Sequence, residues 1–142
     1  VEWAGPAISL EDCDSLPRTF GSLTGVRGLL VAIGAAWCGP CQDDAPVLQA
    51  FSAANSDVGV VQVLVQDASG APATHVACEE WTEAFSLTHP VLIDPVFVTE
   101  PIAGDQGFPV HVVYSVAGEQ LYWEAGAFDE AAVTAALSED AP

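Results

Sequence analysis

The 142-residue chain carries twenty aspartates and glutamates against two basic residues, Arg18 and Arg27, for a formal net charge of −18, and 51% of its residues are hydrophobic. A field of that sign repels nucleic acid and anionic membranes, which removes both as expected partners. No apolar run reaches the roughly 18 to 20 residues of a membrane helix, so no membrane insertion is expected. Length and apolar fraction suit a single domain over residues 1–142, with 1–25 as an N-terminal extension and a core that needs no metal. The sequence begins at Val1 without a basic, apolar leader, so any targeting signal lies beyond what it reports.

The extension is turn-rich, with one strand expected near Ala7 to Leu10. Gly28 to Gly34 is a short continuous apolar run between glycines, the pattern of a strand buried on both faces. From Pro40, suited to a first helical turn, Cys41, Ala45, Leu48 and Phe51 recur at helical spacing among polar residues, which predicts a helix to about Ala54. Val58 to Val65 is a second β-branched run, so strand, helix and strand make a βαβ unit. Pro72 to Leu87 reads as a second amphipathic helix and Val91 to Ile93 as a short strand. Pro109 to Val116 and Glu119 to Glu124 then form a hairpin across Ala117-Gly118, and Asp129 caps a last helix from Glu130 to about Leu137. The fold class is α/β.

The sequence AAWCGPCQDDAP, residues 35–46, places Cys38 and Cys41 where a buried strand ends and a helix begins, the end of an open α/β sheet where sites form. At a helix N-terminus, unpaired N–H groups and the dipole favour the Cys38 thiolate over the thiol. Cys41, one turn in, is expected to be shielded. An exposed attacking sulfur and a buried resolving one suit thiol-disulfide exchange. A zinc site would need further ligands, yet Cys13, Cys78, His75, His89 and His111 are scattered. A purely structural disulfide across so short a loop would stabilise little. No metal site and no cofactor are therefore expected.

Trp37-Cys38-Gly39-Pro40-Cys41 resembles the active-site motif of the thioredoxin superfamily. Pro46 matches the proline that kinks the family's active-site helix, and Phe108-Pro109, directly before the hairpin, its cis-proline. The resemblance implies a thioredoxin-like fold, a central mixed sheet with helices on both faces, with Cys38 as nucleophile, Cys41 as resolving thiol, and Trp37, Gly39, Pro40, Asp44, Phe108 and Pro109 supporting them. Two departures stand out. Thioredoxins carry a buried aspartate six residues before the first cysteine, where this chain has Ala32. Asp44 instead matches the acidic position of the extracytoplasmic reductases of the TlpA and ResA type, where it either reaches the dithiol as a proton shuttle or remains a solvated helix carboxylate. Phe108 is bulkier than the residue that usually precedes the cis-proline. Peroxiredoxins need a threonine three residues before the reactive cysteine, where Ala35 stands, and the copper-delivery proteins of this fold use a longer cysteine spacing, although His111 lies near enough in sequence to be a candidate ligand.

Cys13 and Cys78 are expected to form a structural disulfide, which implies an oxidising, periplasmic or secreted location; two free thiols in a halophile's cytoplasm are the alternative. A lysine-free acidic surface suits high salt. The expected function is protein thiol-disulfide oxidoreductase, acting as a reductase on disulfide-bearing or dithiol proteins with an upstream electron donor. A binding module, either a copper carrier or a redox-sensitive adaptor, is the other reading.

Overall fold

The computed structural model describes residues 2–139. In chain order the strands are β1 (Ser9–Asp12), β2 (Pro17–Thr19), β3 (Gly28–Gly34), β4 (Val58–Leu64), β5 (Val91–Ile93), β6 (Val110–Tyr114) and β7 (Gln120–Ala125). The helices are α1 (Phe20–Leu23), α2 (Gly39–Ala54), α3 (His75–Ala84), α4 (Glu100–Ala103) and α5 (Glu130–Glu139). All strands join one seven-stranded sheet in the order β2-β1-β5-β4-β3-β6-β7.

The uninterrupted apolar run of β3 is accounted for by its place: all seven residues are buried. It pairs in parallel with β4 and antiparallel with β6, so both edges are satisfied and both faces are covered. On one face Leu29, Val31 and Ile33 join Val61, Val63, Val110, Val112 and Tyr114 beneath Phe20 of α1 and Ala103 of α4. On the other, Leu30 and Ala32 meet Leu48 and Phe51 of α2 and Val133 and Leu137 of α5. Among the described residues helices thus lie on both faces, the long ones on one side and the single turns α1 and α4 on the other.

α2 begins at the cysteine pair because Cys38 is its N-cap and Pro40 sits in its first turn, where a missing N–H costs nothing. It ends at Asn55, whose side-chain amide donates to the Phe51 carbonyl at 2.9 Å. Within it Pro46 has no N–H to offer the Gln42 carbonyl one turn back, the usual cause of a bend. α3 is shorter than the predicted Pro72–Leu87, because the Thr74 hydroxyl accepts from the Ala77 N–H and starts the helix there. The single turns α1 and α4 and the strand β2 are too short to leave a periodic pattern, and the expected N-terminal strand lies slightly later, at Ser9–Asp12.

The N-terminal segment ties both edges of the sheet. Ala4 donates to the Ala117 carbonyl at the β6–β7 turn, at 2.7 Å, while β1 pairs with β5 on the opposite side. Gly118 permits that crossing: its φ is +95°, and a Cβ there would land on the backbone of Gly5. Trp3 packs edge-on against Tyr114 at 5.7 Å. Cys13, just past β1, is bonded to Cys78 of α3, with their Cα atoms 5.3 Å apart.

That bond spans 65 residues of sequence, so replacing both cysteines by serine is expected to lower unfolding free energy by roughly 4 kcal/mol. Urea denaturation reads the loss, and a change below about 1 kcal/mol would show that the closed loop contributes little in the folded chain.

Candidate active site

Where β3 ends, a short turn is locked before α2 starts. The Ala36 N–H donates to the Gln66 carbonyl at 3.0 Å and the Cys38 N–H to the Ala35 carbonyl at 3.2 Å. The Gln42 side chain donates back to the Ala36 carbonyl at 2.8 Å. These bonds hold Cys38 at the cap of α2, where its Sγ accepts from the Cys41 N–H at 3.2 Å. Cys38 and Cys41 are joined in a disulfide, Cα atoms 5.2 Å apart. The expected difference in exposure is not found in this form: Cys38 is 3% exposed and Cys41 4%. The turn and its apolar cover shield both sulfurs, and the asymmetry lies instead in what each one faces. Cys38 caps the helix. Cys41 packs against β3 so closely that a Cβ on Gly34 would stand 2.6 Å from its Sγ.

The cover is aromatic. Trp37 is 49% exposed and anchored by its indole N–H, which donates to Gln66 Oε1 at 2.7 Å. Its ring lies 6.3 Å from that of Phe108, which in turn meets Phe97 at 5.8 Å. The Phe108–Pro109 peptide is cis, and the Pro109 carbonyl accepts from the Gly126 N–H at 2.8 Å. Gly39 leaves its side of the pair open, since a Cβ there would meet nothing within 4 Å. Together Trp37, Gly39, Pro40, Phe108 and Pro109 surround or adjoin the cysteines.

Asp44 turns inward and is 7% exposed, so the picture of a solvated helix carboxylate does not hold. Its Oδ2 accepts from the Phe128 N–H at 3.0 Å and lies 3.4 Å from His111 Nε2. Burial raises its pKa above the usual carboxylate value, the Phe128 hydrogen bond opposes that, and neighbouring Asp43 adds to it. His111, 1% exposed, is held down to about 4 by burial against an opposing pull from the Gly126 backbone. His111 therefore belongs with Asp44, inside the sheet and α2. Gln62 is the further polar member: it stands in register with Ala32 on β4, and its Oε1 accepts from His89 Nε2 at 2.9 Å. From the sequence alone Gln62 had no role, Trp81 a packing role and His111 a place only among candidate metal ligands, because the strand register that brings Gln62 and His111 together has no local signature. Among the described residues, no group of three His, Cys, Asp or Glu side chains is placed to hold a metal ion. Among the described residues, likewise, no helix is long and apolar enough to cross a membrane.

No protein-family model and no curated protein matches the sequence. Solved structures do match the fold. A secreted disulfide oxidoreductase of Mycobacterium tuberculosis, homologous to E. coli DsbE, aligns with a TM-score of 0.73 at 19% identity, covering 93% of this chain and 95% of its own. The exposed lipoprotein thioredoxin of Streptococcus pneumoniae gives 0.77 at 18% identity over 94% and 99%. A putative thiol:disulfide interchange protein DsbE from Chlorobium tepidum gives 0.75 at 21% identity over 96% of each chain. The chain has the thioredoxin-like fold.

Burial of the imidazoles has a consequence for acid stability. His89 and His111 are both held to about 4 against 6.5 when free, so the unfolded chain binds protons that the folded chain refuses. Their contribution is complete above about pH 6.5 and falls away toward pH 4, by on the order of 3 kcal/mol per histidine. Comparing the pH dependence of urea midpoints in wild type and His89→Gln separates this effect from the relief of acidic repulsion. The variant's midpoint is expected to decline less on acidification; parallel curves would contradict the assignment.

Proposed function

We propose that the chain is a protein thiol-disulfide oxidoreductase, working as a reductase through the Cys38–Cys41 couple. The observation that carries this reading is the disulfide seated at the N-terminus of α2, with Cys38 as the capping sulfur. Opening that bond leaves a Cys38 sulfur facing the unpaired N–H groups of the first turn, which favours the thiolate. Cys38 attacks a partner disulfide, a mixed disulfide forms, and Cys41 displaces the partner from it. The open side at Gly39 and the exposed indole of Trp37 are the surface a partner protein meets.

Charge supports the reducing direction. A couple is strongly oxidising when its thiolate is strongly stabilised, and here the helix terminus acts alone. Arg18 and Arg27 are the only basic residues in a chain of net charge −18, and they bond Asp12 and Asp57, away from the dithiol. The surrounding negative field disfavours a further anion. Partners are disulfide-bearing proteins, with an upstream dithiol donor restoring the reduced form. The Cys13–Cys78 bond supports an extracytoplasmic location, in keeping with the secreted and surface-exposed proteins that share the fold. Residues 1–142 act as one domain whose N-terminal extension completes the sheet.

Equilibration with glutathione or dithiothreitol buffers gives the potential, expected nearer about −270 mV than about −120 mV. Reduced protein is expected to reduce insulin disulfides, and Cys38→Ser to abolish that activity. Absence of turnover in wild type, with stoichiometric copper binding lost in Cys38→Ser, would replace the enzyme by a binding module.

A further inference from the structure

Resolution of a mixed disulfide requires Cys41 to lose a proton inside the protein, and the interior beside it is built around a gap. Ala32 of β3 is in register with Gln62 on β4 and with His111 on β6. Directly opposite residues of neighbouring strands point to the same face, so the small Ala32 side chain leaves space between two polar ones beneath α2. The resulting cavity offers about 10 Å³ to the centre of a water molecule and is bounded by Cys41, Asp44, Gln62, Trp81 and His111. That is room for one water. Its wall holds buried polar atoms without a close protein hydrogen bond: the indole nitrogen of Trp81 and both ring nitrogens of His111, which have the Asp44 carboxylate at 3.4 Å and the Gly126 backbone as neighbours; the two residues are 6% and 1% exposed. Unsatisfied buried donors and acceptors of this kind are where internal water is found.

We propose that His111 is a positioning residue for proton transfer, holding a water in this cavity that carries the Cys41 proton to the Asp44 carboxylate. The proposal rests on the exchange reading above. In the step concerned, the Cys41 S–H bond breaks and its proton passes through the water to Asp44. The Cys41 thiolate then attacks Cys38 Sγ, a Cys38–Cys41 bond forms, and the bond from Cys38 to the partner breaks. The partner leaves as a thiolate that takes a proton from solvent. Two electrons pass from the dithiol to the partner disulfide, and Asp44 releases its proton in the next cycle.

The neighbours of His111 suit the role. α2 contributes Asp44, with Asp43 behind it; β3 contributes the uncharged Ala32. On the β4 side stand neutral Gln62 and its partner His89. β7 sets exposed Glu124 opposite His111, occupied by the Tyr122 hydroxyl at 2.8 Å, and the loop before α5 adds Phe128, whose ring lies 5.4 Å away. With burial keeping the imidazole uncharged, one ring nitrogen donates and the other accepts. The same burial makes Asp44 a stronger base than a surface carboxylate.

The test follows the two releases of thionitrobenzoate when selectively reduced protein, with two free thiols and Cys13–Cys78 intact, meets dithiobis-nitrobenzoate in stopped flow. The first release reports attack by Cys38 and the second closure by Cys41. His111→Gln is expected to slow the second phase on the order of 100-fold at neutral pH, leaving the first unchanged, with the deficit closing as rising pH deprotonates Cys41 directly. Ala32→Val, which fills the cavity while keeping Asp44 and His111, is expected to give the same selective slowing, and it decides the matter if His111→Gln does not fold. Second phases in both variants that track wild type across pH overturn the proposal, as does equal slowing of both phases, which marks a structural histidine. A wild type that shows no second release at all defeats the exchange reading itself.

Discussion

Asp44 enters the interior with no cation among the described residues to meet it. Both arginines are held elsewhere, Arg27 by Asp57 at 2.7 Å and Arg18 by Asp12 at 3.3 Å, so the carboxyl is answered by one backbone N–H and a neutral imidazole. A buried carboxylate without a charged partner costs folding free energy. The arrangement around it follows from keeping that cost bearable. The loop before α5 turns in to present the Phe128 N–H, and β6 carries His111, buried among apolar strand residues, beside the carboxyl. The dithiol sits at the end of this polar interior, one helical turn from Asp44.

The scaffold keeps the site in place by stiffening what lies around it. β3 is bonded on both edges, its last residue leads straight into the turn that holds Cys38, and Gly34 admits the Cys41 sulfur against the strand. The N-terminal segment crosses between the sheet's two edges, and the Cys13–Cys78 bond fixes the β1–β2 turn to α3. α3 in turn supplies Trp81, part of the wall behind Cys41. Extension, the Cys13–Cys78 bond and the Cys38–Cys41 pair are therefore one mechanical unit.

Much of this was legible in the residues. Continuous apolar runs identified β3 and β4 because those strands are buried on both faces, and the Cys-Gly-Pro-Cys sequence with Pro46 identified α2 and its cap. The pairing of Cys13 with Cys78 was likewise within reach, since the other two cysteines lie too close to each other to prefer distant partners. Single turns such as α1 and α4 were not, because four residues carry no periodicity. The inward turn of Asp44 was open from sequence, as helical spacing puts it on the face of Cys41 and Leu48 but cannot say how far that face is covered. That His111 and Gln62 share one site was illegible for a different reason. Their meeting across Ala32 depends on strand register, which is set by long-range pairing.

Exchange through Cys38 requires the two sulfurs to be unlike once reduced, although both are buried in the disulfide. Limited alkylation of reduced protein at neutral pH with iodoacetamide, followed by peptide mass spectrometry, measures that difference directly. Modification of Cys38 well ahead of Cys41 is the predicted result. Equal labelling, or Cys41 labelled first, would contradict Cys38 as the attacking thiol.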